Sequence, residues 1–341
     1  MSSSRRTMWQ RIPIWRDKYI NLRRISRTAR AVARAARRSP EEGPVVFFNA
    51  STRLEYMSQN GAFSLLASWG LRLAGVPVTH FVCQQGMSRC PLSSTERNYF
   101  EVMPCDKCMG LSQAAFSDAD VVGFRYTPDD SLEARLAGLS VSELTAFSYQ
   151  GVDYGGLVLP TVRWCKRRHR LEDDPKTQSL FREFILSAIF IYREFNALLD
   201  KVQPSAVVLF NGLMFPEAAA KLAARERGIP VVMHEVGYQA YSAFFTTAEA
   251  TAREVFLDDG YQLSEAQEQR LQEYLAKRFS GSFTMAGIQF WPEMSRLDEG
   301  FLKKADGFSQ IVPVFTNVIF DTSQPHANVI YEDMFRWLDD L

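Results

Sequence analysis

Short continuous apolar runs alternate along the chain with longer segments whose apolar residues return every three or four positions. Val45 to Phe48 is an apolar run of strand length. Leu65, Leu66, Trp69, Leu71 and Leu73 then mark one face of a helix over 61–74, closed by Gly75. Val78 to Val82, entered through Pro77, is the next strand, and Val121 to Phe124 is a shorter one. A long amphipathic pattern predicts a helix over 177–202, followed by Pro204 and a strand from Ala206 to Phe210. Pro216 to Arg227 reads as a helix stopped by Gly228, and Ile229 to Met233 as a strand. These are the periods of buried strands and of helices with one apolar face. Strand and helix taking turns predict an α/β fold with a Rossmann-like parallel sheet.

Past that block, Ser264-Glu265-Ala266-Gln267 has the spacing of a capping box and opens a helix to about Arg278. Ile311 to Phe315 predicts a fresh strand, Thr316 to Asn328 a loop, and Ile330 to Leu338 a helix. The expected organisation is therefore an arm over 1–40, a Rossmann-like domain over 41–300, and the first β-α unit of a second Rossmann-like domain over 301–341. A unit that opens a domain implies that the natural chain continues past Leu341. The alternative is that it completes the first sheet.

Composition changes little. At 341 residues with 46% hydrophobic and 23% charged residues, the chain is ordinary globular material. The longest strongly apolar run, Phe184 to Tyr192, is far short of the roughly 20 residues of a spanning helix. Charge matters more. Lysine plus arginine and aspartate plus glutamate are 39 each, but residues 1–38 hold twelve basic residues against Asp17 alone, which leaves +11 there and −11 on the rest. In that arm Trp15, Tyr19, Leu22, Ile25, Ala29, Val32 and Ala36 fall on one helical face. An apolar face opposite arginines suits an anionic lipid interface, and the arm is expected to hold the protein peripherally at a membrane. A basic helix docked on the acidic body, a disordered arm, and an organellar leader are the alternatives. Nucleic acid is not the expected partner. No apolar stretch of about 7–15 residues follows the arginines, so the arm is no secretory signal.

Five cysteines are too sparse for a disulfide scaffold. Six residues separate Cys83 from Cys90, and Cys105-Asp106-Lys107-Cys108 is a close pair between Pro104 and Gly110, residues suited to a tight turn. Four thiolates at this spacing suit a structural zinc. A redox or disulfide pair, an iron–sulfur cluster and unlinked thiols remain alternatives. Cys165 reads as a packed thiol. The Gly-rich phosphate and dinucleotide fingerprints and the Gly-x-Ser-x-Gly elbow do not occur. Asp118-Ala119-Asp120 spells a metal-binding pair but precedes its apolar run instead of following it. Asn49-Ala50-Ser51 spells a glycosylation sequon, which a thiol-bearing cytosolic protein does not use.

Ligands of open parallel sheets bind beyond the carboxyl ends of the strands. That rule selects Asn49 to Arg53, Asn211-Gly212 with Glu217 downstream, and His234-Glu235-Val236-Gly237. A histidine and a carboxylate at a strand end can serve as base, acid or hydroxyl ligand. Adjacent residues of one strand face opposite ways, so His234 and Glu235 act together only if the strand has already ended. Asn317 and Asp321 are polar residues of the C-terminal unit, suited to binding substrate or to capping a loop.

Asn211-Gly212 after one strand, Glu235-x-Gly237 after the next, and Thr316-Asn317-Val318-Ile319-Phe320-Asp321 ahead of Glu332-Asp333-Met334-Phe335-x-Trp337-Leu338 resemble bacterial capsule and surface polysaccharide biosynthesis proteins. Phe147-x-Tyr149-x-Gly151 with Gly155 or Gly156 is similar to a connecting segment of that family, and the cysteine pairs to an insert in its N-terminal domains. The resemblance implies the B-type glycosyltransferase architecture, two Rossmann-like domains facing across a cleft. It implies transfer from a nucleotide-sugar donor to a glycan or lipid-linked acceptor, without a catalytic divalent ion, in the cytoplasm at the inner membrane surface. His234 or Glu235 would be acid/base or acceptor ligand. Asn211, Gly212 and Gly237 would shape the acceptor site, and Asn317 and Asp321 would line the cleft. A second domain would need roughly 150 further residues on ordinary domain sizes. Two rivals are a zinc-stabilised Rossmann scaffold that binds without catalysing, and a phosphotransferase of envelope polymer synthesis.

Overall fold

The computed structural model describes residues 8–36, 43–49, 57–94, 101–251, 258, 260–280, 282, 298–314, 316, 318–321 and 330–341. Helix α1 (Met8–Ala35) is followed by β1 (Val45–Asn49), α2 (Gln59–Leu73) and β2 (Val78–Cys83). Next come α3 (Cys105–Ala115), β3 (Asp120–Phe124), α4 (Asp130–Leu136), α5 (Val141–Thr145), the hairpin β4 (Ser148–Tyr149) and β5 (Val152–Asp153), and α6 (Tyr154–Lys166). The chain continues through α7 (Pro175–Val202), β6 (Ala206–Phe210), α8 (Phe215–Glu226), β7 (Val231–Val236) and β8 (Ala243–Thr246). Helices α9 (Glu265–Phe279), α10 (Glu299–Ala305) and α11 (Met334–Asp339) follow.

Six strands form one sheet in the order β3-β2-β1-β6-β7-β8, parallel except for β8. The fold is α/β with a mostly parallel sheet, as the alternating pattern predicts. From β1 the chain winds outward through β2 and β3, then crosses back to β6 and β7 on the other side. The topological switch therefore lies between β1 and β6. Helices α1, α2 and α3 cover one face, with Leu65, Trp69, Leu111 and Phe116 in their core, while α4 to α8 cover the other.

Helix α7 is the main beam of the second face. Leu180, Phe181, Phe184, Ile185, Ile189, Phe195 and Leu199 are all buried along it, the pattern of a helix laid across a sheet. Pro175 opens it where an N–H would have no intrahelical partner. Asp174 caps it by accepting from the Lys176 and Thr177 amides at 2.9 and 3.1 Å, and Lys166 lies 3.4 Å away. Partial burial raises the Asp174 pKa, but the Thr177 hydroxyl and amide and Lys166 outweigh it and bring it down to about 2. A lowered folded pKa stabilises the fold above the ordinary carboxylate range and loses that contribution as the pH falls through about 2. Asp174→Ala is expected to cost about 1 kcal/mol at pH 7, read as a lower urea midpoint, and the gap to wild type should narrow below pH 4.

Several boundaries differ from the sequence expectation for identifiable reasons. The strand expected from Ile229 begins at Val231, because Pro230 has no N–H to donate, and it runs on to Val236. Its far end is held by β8, an antiparallel edge strand that the apolar pattern does not announce. The turn expected around Cys105 and Cys108 is instead the first turn of α3. Ile311 to Val314 form no strand and are exposed; a parallel strand exists only through a neighbour's ladder, and none of the described strands lies beside it. The helix expected from Ile330 starts only at Met334, where Asp333 accepts from the Phe335 and Arg336 amides. The capping box at Ser264 forms as expected, yet α9 buries none of its residues. Among the described residues no helix is long and apolar enough to cross a membrane.

Candidate functional site

Polar side chains from three elements meet at the switch point. Asn211 follows β6 directly, with φ +55°, and Gly212 continues at φ +86°. A Cβ on Gly212 would lie 2.6 Å from Met233 Sδ and 3.2 Å from Lys221 Cδ, so the turn requires glycine. The turn is fixed by the Asn211 amide donating to the His234 carbonyl at 2.9 Å and by the Leu213 amide donating to Asn211 Oδ1 at 3.2 Å. The remaining Asn211 group, Nδ2, donates to Glu235 Oε2 at 3.0 Å.

Glu235, half-buried near the end of β7, is the hub. Its Oε1 accepts from Asn60 Nδ2 at 3.0 Å and from the Val236 amide at 2.9 Å. Asn60 lies in the first turn of α2, whose N-terminus Ser58 caps by accepting from the Gly61 amide. One carboxylate thus ties α2 to the ends of β6 and β7 beside the positive end of a helix dipole. A carboxylate has about four acceptor positions. Three of them are filled among the described residues, and a ligand hydroxyl is the kind of donor that the carboxylate can also accept from.

Around this hub, Gly237 donates its amide to the Ser242 carbonyl at 2.7 Å, and a Cβ there would strike the Ser242 side chain. The Gly237–Ser242 turn carries the exposed rings of Tyr238 and Tyr241. At the end of β1, buried Asn49 accepts from Ser64 Oγ at 3.3 Å and its Nδ2 lies 3.1 Å from His80 Nδ1. His80 stacks on Phe116 at 4.0 Å; burial, then the nearby Arg72 charge, lower its pKa to about 3.

The residues singled out in the sequence separate into two sets. Asn211, Gly212, Glu235 and Gly237 come together at the strand ends. His234 does not join them: its ring is fully buried, 5.8 Å from Phe210 and 5.3 Å from Phe245, with neither nitrogen hydrogen-bonded among the described residues. Burial lowers its pKa to about 4. The physical reason is that β7 continues through both residues, so strand alternation sends them opposite ways, and Phe245 of β8 lies opposite the histidine in the ladder. Glu217 is also buried, in the first turn of α8. Ala50 to Arg53 and Asn317 lie outside the described residues. Asp321 is half-buried beside Phe320, which lies under Arg167, and near it in sequence Asp333 Oδ2 stands 3.7 Å from His169 Nε2. Asp120 is bound to Thr79 Oγ at 2.6 Å, at the strand end opposite the switch-point site.

Sequence reading missed Asn60, Tyr238 and Tyr241. Asn60 is one polar residue in an ordinary helix start, and only the packing of α2 over β6 and β7 carries it to Glu235. The N-terminal arm is better defined than its charge suggests. Leu22, Ile25, Ala29 and Val32 of α1 pack on α2 and α3, so this part of the apolar stripe is used inside the protein. Arg23, Arg24, Arg27, Arg30 and Arg34 line one open groove beside it.

No family model matches the chain, and no curated protein matches it in sequence.

Proposed function

We propose that the protein is a nucleotide-sugar-dependent glycosyltransferase of bacterial surface polysaccharide synthesis, working on a glycan or lipid-linked acceptor. The observation that carries this reading is the Glu235 carboxylate clamped by Asn60 and Asn211 at the switch point of a parallel sheet, where such folds bind their ligands. A carboxylate held this way suits a sugar hydroxyl as a donor. Tyr238 and Tyr241 stand on the adjoining turn as flat apolar surfaces against which a pyranose ring can lie.

In the proposed reaction the acceptor hydroxyl donates to Glu235 and attacks the anomeric carbon of the donor sugar. The new bond joins acceptor oxygen to that carbon. The bond from the carbon to the phosphate oxygen breaks, the nucleotide leaves with the electron pair, and the hydroxyl proton passes to Glu235. The positive end of α2 favours the charge on the departing phosphate. His234 has no part in this scheme. Asn317 and Asp321 belong to the proposed donor side, within a second Rossmann-like domain facing the first. The arginine row of α1 would face the anionic inner membrane surface, where a lipid-linked acceptor lies.

The test is transfer of labelled sugar from a panel of nucleotide sugars to extracted envelope lipids and glycans by the full chain. Wild type is expected to incorporate label from one donor class. Glu235→Ala should lower the rate by about 100-fold or more, the range of a lost general base, while its melting temperature stays within a few degrees. Wild-type rates in a well-folded Glu235→Ala protein would refute the role of the hub, and turnover of no nucleotide sugar would favour a scaffold that only binds.

A further inference from the structure

Four of the five cysteines come from two separate stretches of chain and gather around one hollow. Cys83 ends β2 and is buried, Cys90 follows in the next loop and is also buried, and Cys105 and Cys108 lie half-exposed in the first turn of α3. Three residues apart on a helix, the last two share a face. None of the four is in a disulfide. The hollow they line has a volume of about 20 Å³, which accommodates one small sphere and no organic ligand. Its other walls include Met87, Met103, Met109, Leu92 and Pro104, with no carboxylate or lysine among them.

Backbone amides already point at the sulfurs. The Gly86 amide lies 3.2 Å from Cys83 Sγ; at Cys90 and Cys105 burial raises the thiol pKa, and the Leu92 and Cys105 amides oppose it in part. Such N–H groups offset thiolate charge and hold each sulfur in a fixed direction. The turn that supplies the first of them admits only glycine, because a Cβ on Gly86 would lie 2.2 Å from the Phe124 ring. The start of α3 adds the positive end of a helix dipole beside Cys105 and Cys108. Among the described residues, no three histidine, cysteine or acidic side chains stand as a ready-made ligand set. The sulfurs ring the hollow, and a bound ion must draw them inward by side-chain rotation.

We propose that Cys83, Cys90, Cys105 and Cys108 bind a single zinc ion as a closed tetrathiolate site that fastens the loop after β2 to the start of α3. Four sulfurs complete a tetrahedron and leave no position for water or substrate, so the ion holds structure and performs no chemistry. Zinc fits better than a cluster of irons, which would need a larger hollow. The partly exposed pair on α3 is where the ion enters. The site is independent of the transferase reading, since it lies beyond β2, apart from the Glu235 hub.

Metal analysis of the untagged full chain, purified with a reductant and no chelator, tests this without any activity assay. About one zinc per chain is expected on this ligand count. Cobalt(II) added to zinc-stripped protein should give the visible bands of tetrahedral thiolate coordination. Cys105→Ser and Cys108→Ser should retain well under half of the zinc, whereas Cys165→Ser, whose thiol is buried on α6, should keep all of it. Metal-free wild type with five titratable thiols, a Cys83–Cys90 or Cys105–Cys108 disulfide, or coloured iron-containing protein would each overturn the proposal.

Discussion

Between pH 6.5 and 4 the protein is expected to lose about 3 kcal/mol of stability through His234, and a similar amount through His80. Burial lowers the pKa of His234 to about 4; burial and then Arg72 lower that of His80 to about 3. In the unfolded chain each returns to about 6.5. Over this interval the unfolded state therefore binds about two more protons than the folded one. Stability falls as the pH drops, by about 1.4 kcal/mol per unit for each histidine, and is fully present above pH 6.5. The combined loss is comparable to the whole stability of a typical domain, about 5–15 kcal/mol. Urea unfolding at pH 7, 6 and 5 would show it as a falling midpoint. His234→Phe places a third apolar ring between Phe210 and Phe245 and should halve the slope. An unchanged slope in that variant would mean that His234 is protonated in the folded protein.

Phe195→Ala is expected to cost about 3–5 kcal/mol. The ring has no exposed surface. It meets Phe48 of β1 edge-on at 5.4 Å and Phe81 of β2 at 5.2 Å, and Phe81 in turn stacks on Phe124 of β3 at 4.5 Å. One side chain of α7 therefore contacts two strands and, through Phe81, is linked to a third. Removing it leaves a cavity that the crossing helix cannot collapse into without leaving the sheet. Phe195→Leu should cost far less, about 1 kcal/mol. Denaturant midpoints of the two variants at pH 7 give the comparison, and an alanine cost below about 1 kcal/mol would show that α7 does not pack there.

The β-α-β alternation was readable because buried parallel strands are short continuous apolar runs and their helices carry one apolar face. Ala206–Phe210 falls where the pattern puts it, and α7 within two residues. The hairpin β4–β5 turns through Gln150 and Gly151, both at positive φ, a geometry that Gln-Gly signals only weakly. Helices α4 and α5 and strand β8 were not predicted because they are short, and α3 and α6 because their composition is mixed.

The sequence by itself determined the sheet class and placed Asn211, Gly212, Glu235 and Gly237 at the carboxyl ends of strands, because strand ends are marked by abrupt changes from apolar to polar. Tertiary structure alone decided that His234 is buried while Glu235 meets Asn60 and Asn211, since the direction of a side chain depends on where β7 stops, and a strand paired with β8 continues past the point where its apolar run ends. It also decided that Asn60 faces Glu235, a contact between elements far apart in sequence that no local period encodes, whereas the spacing of the four cysteines already grouped them.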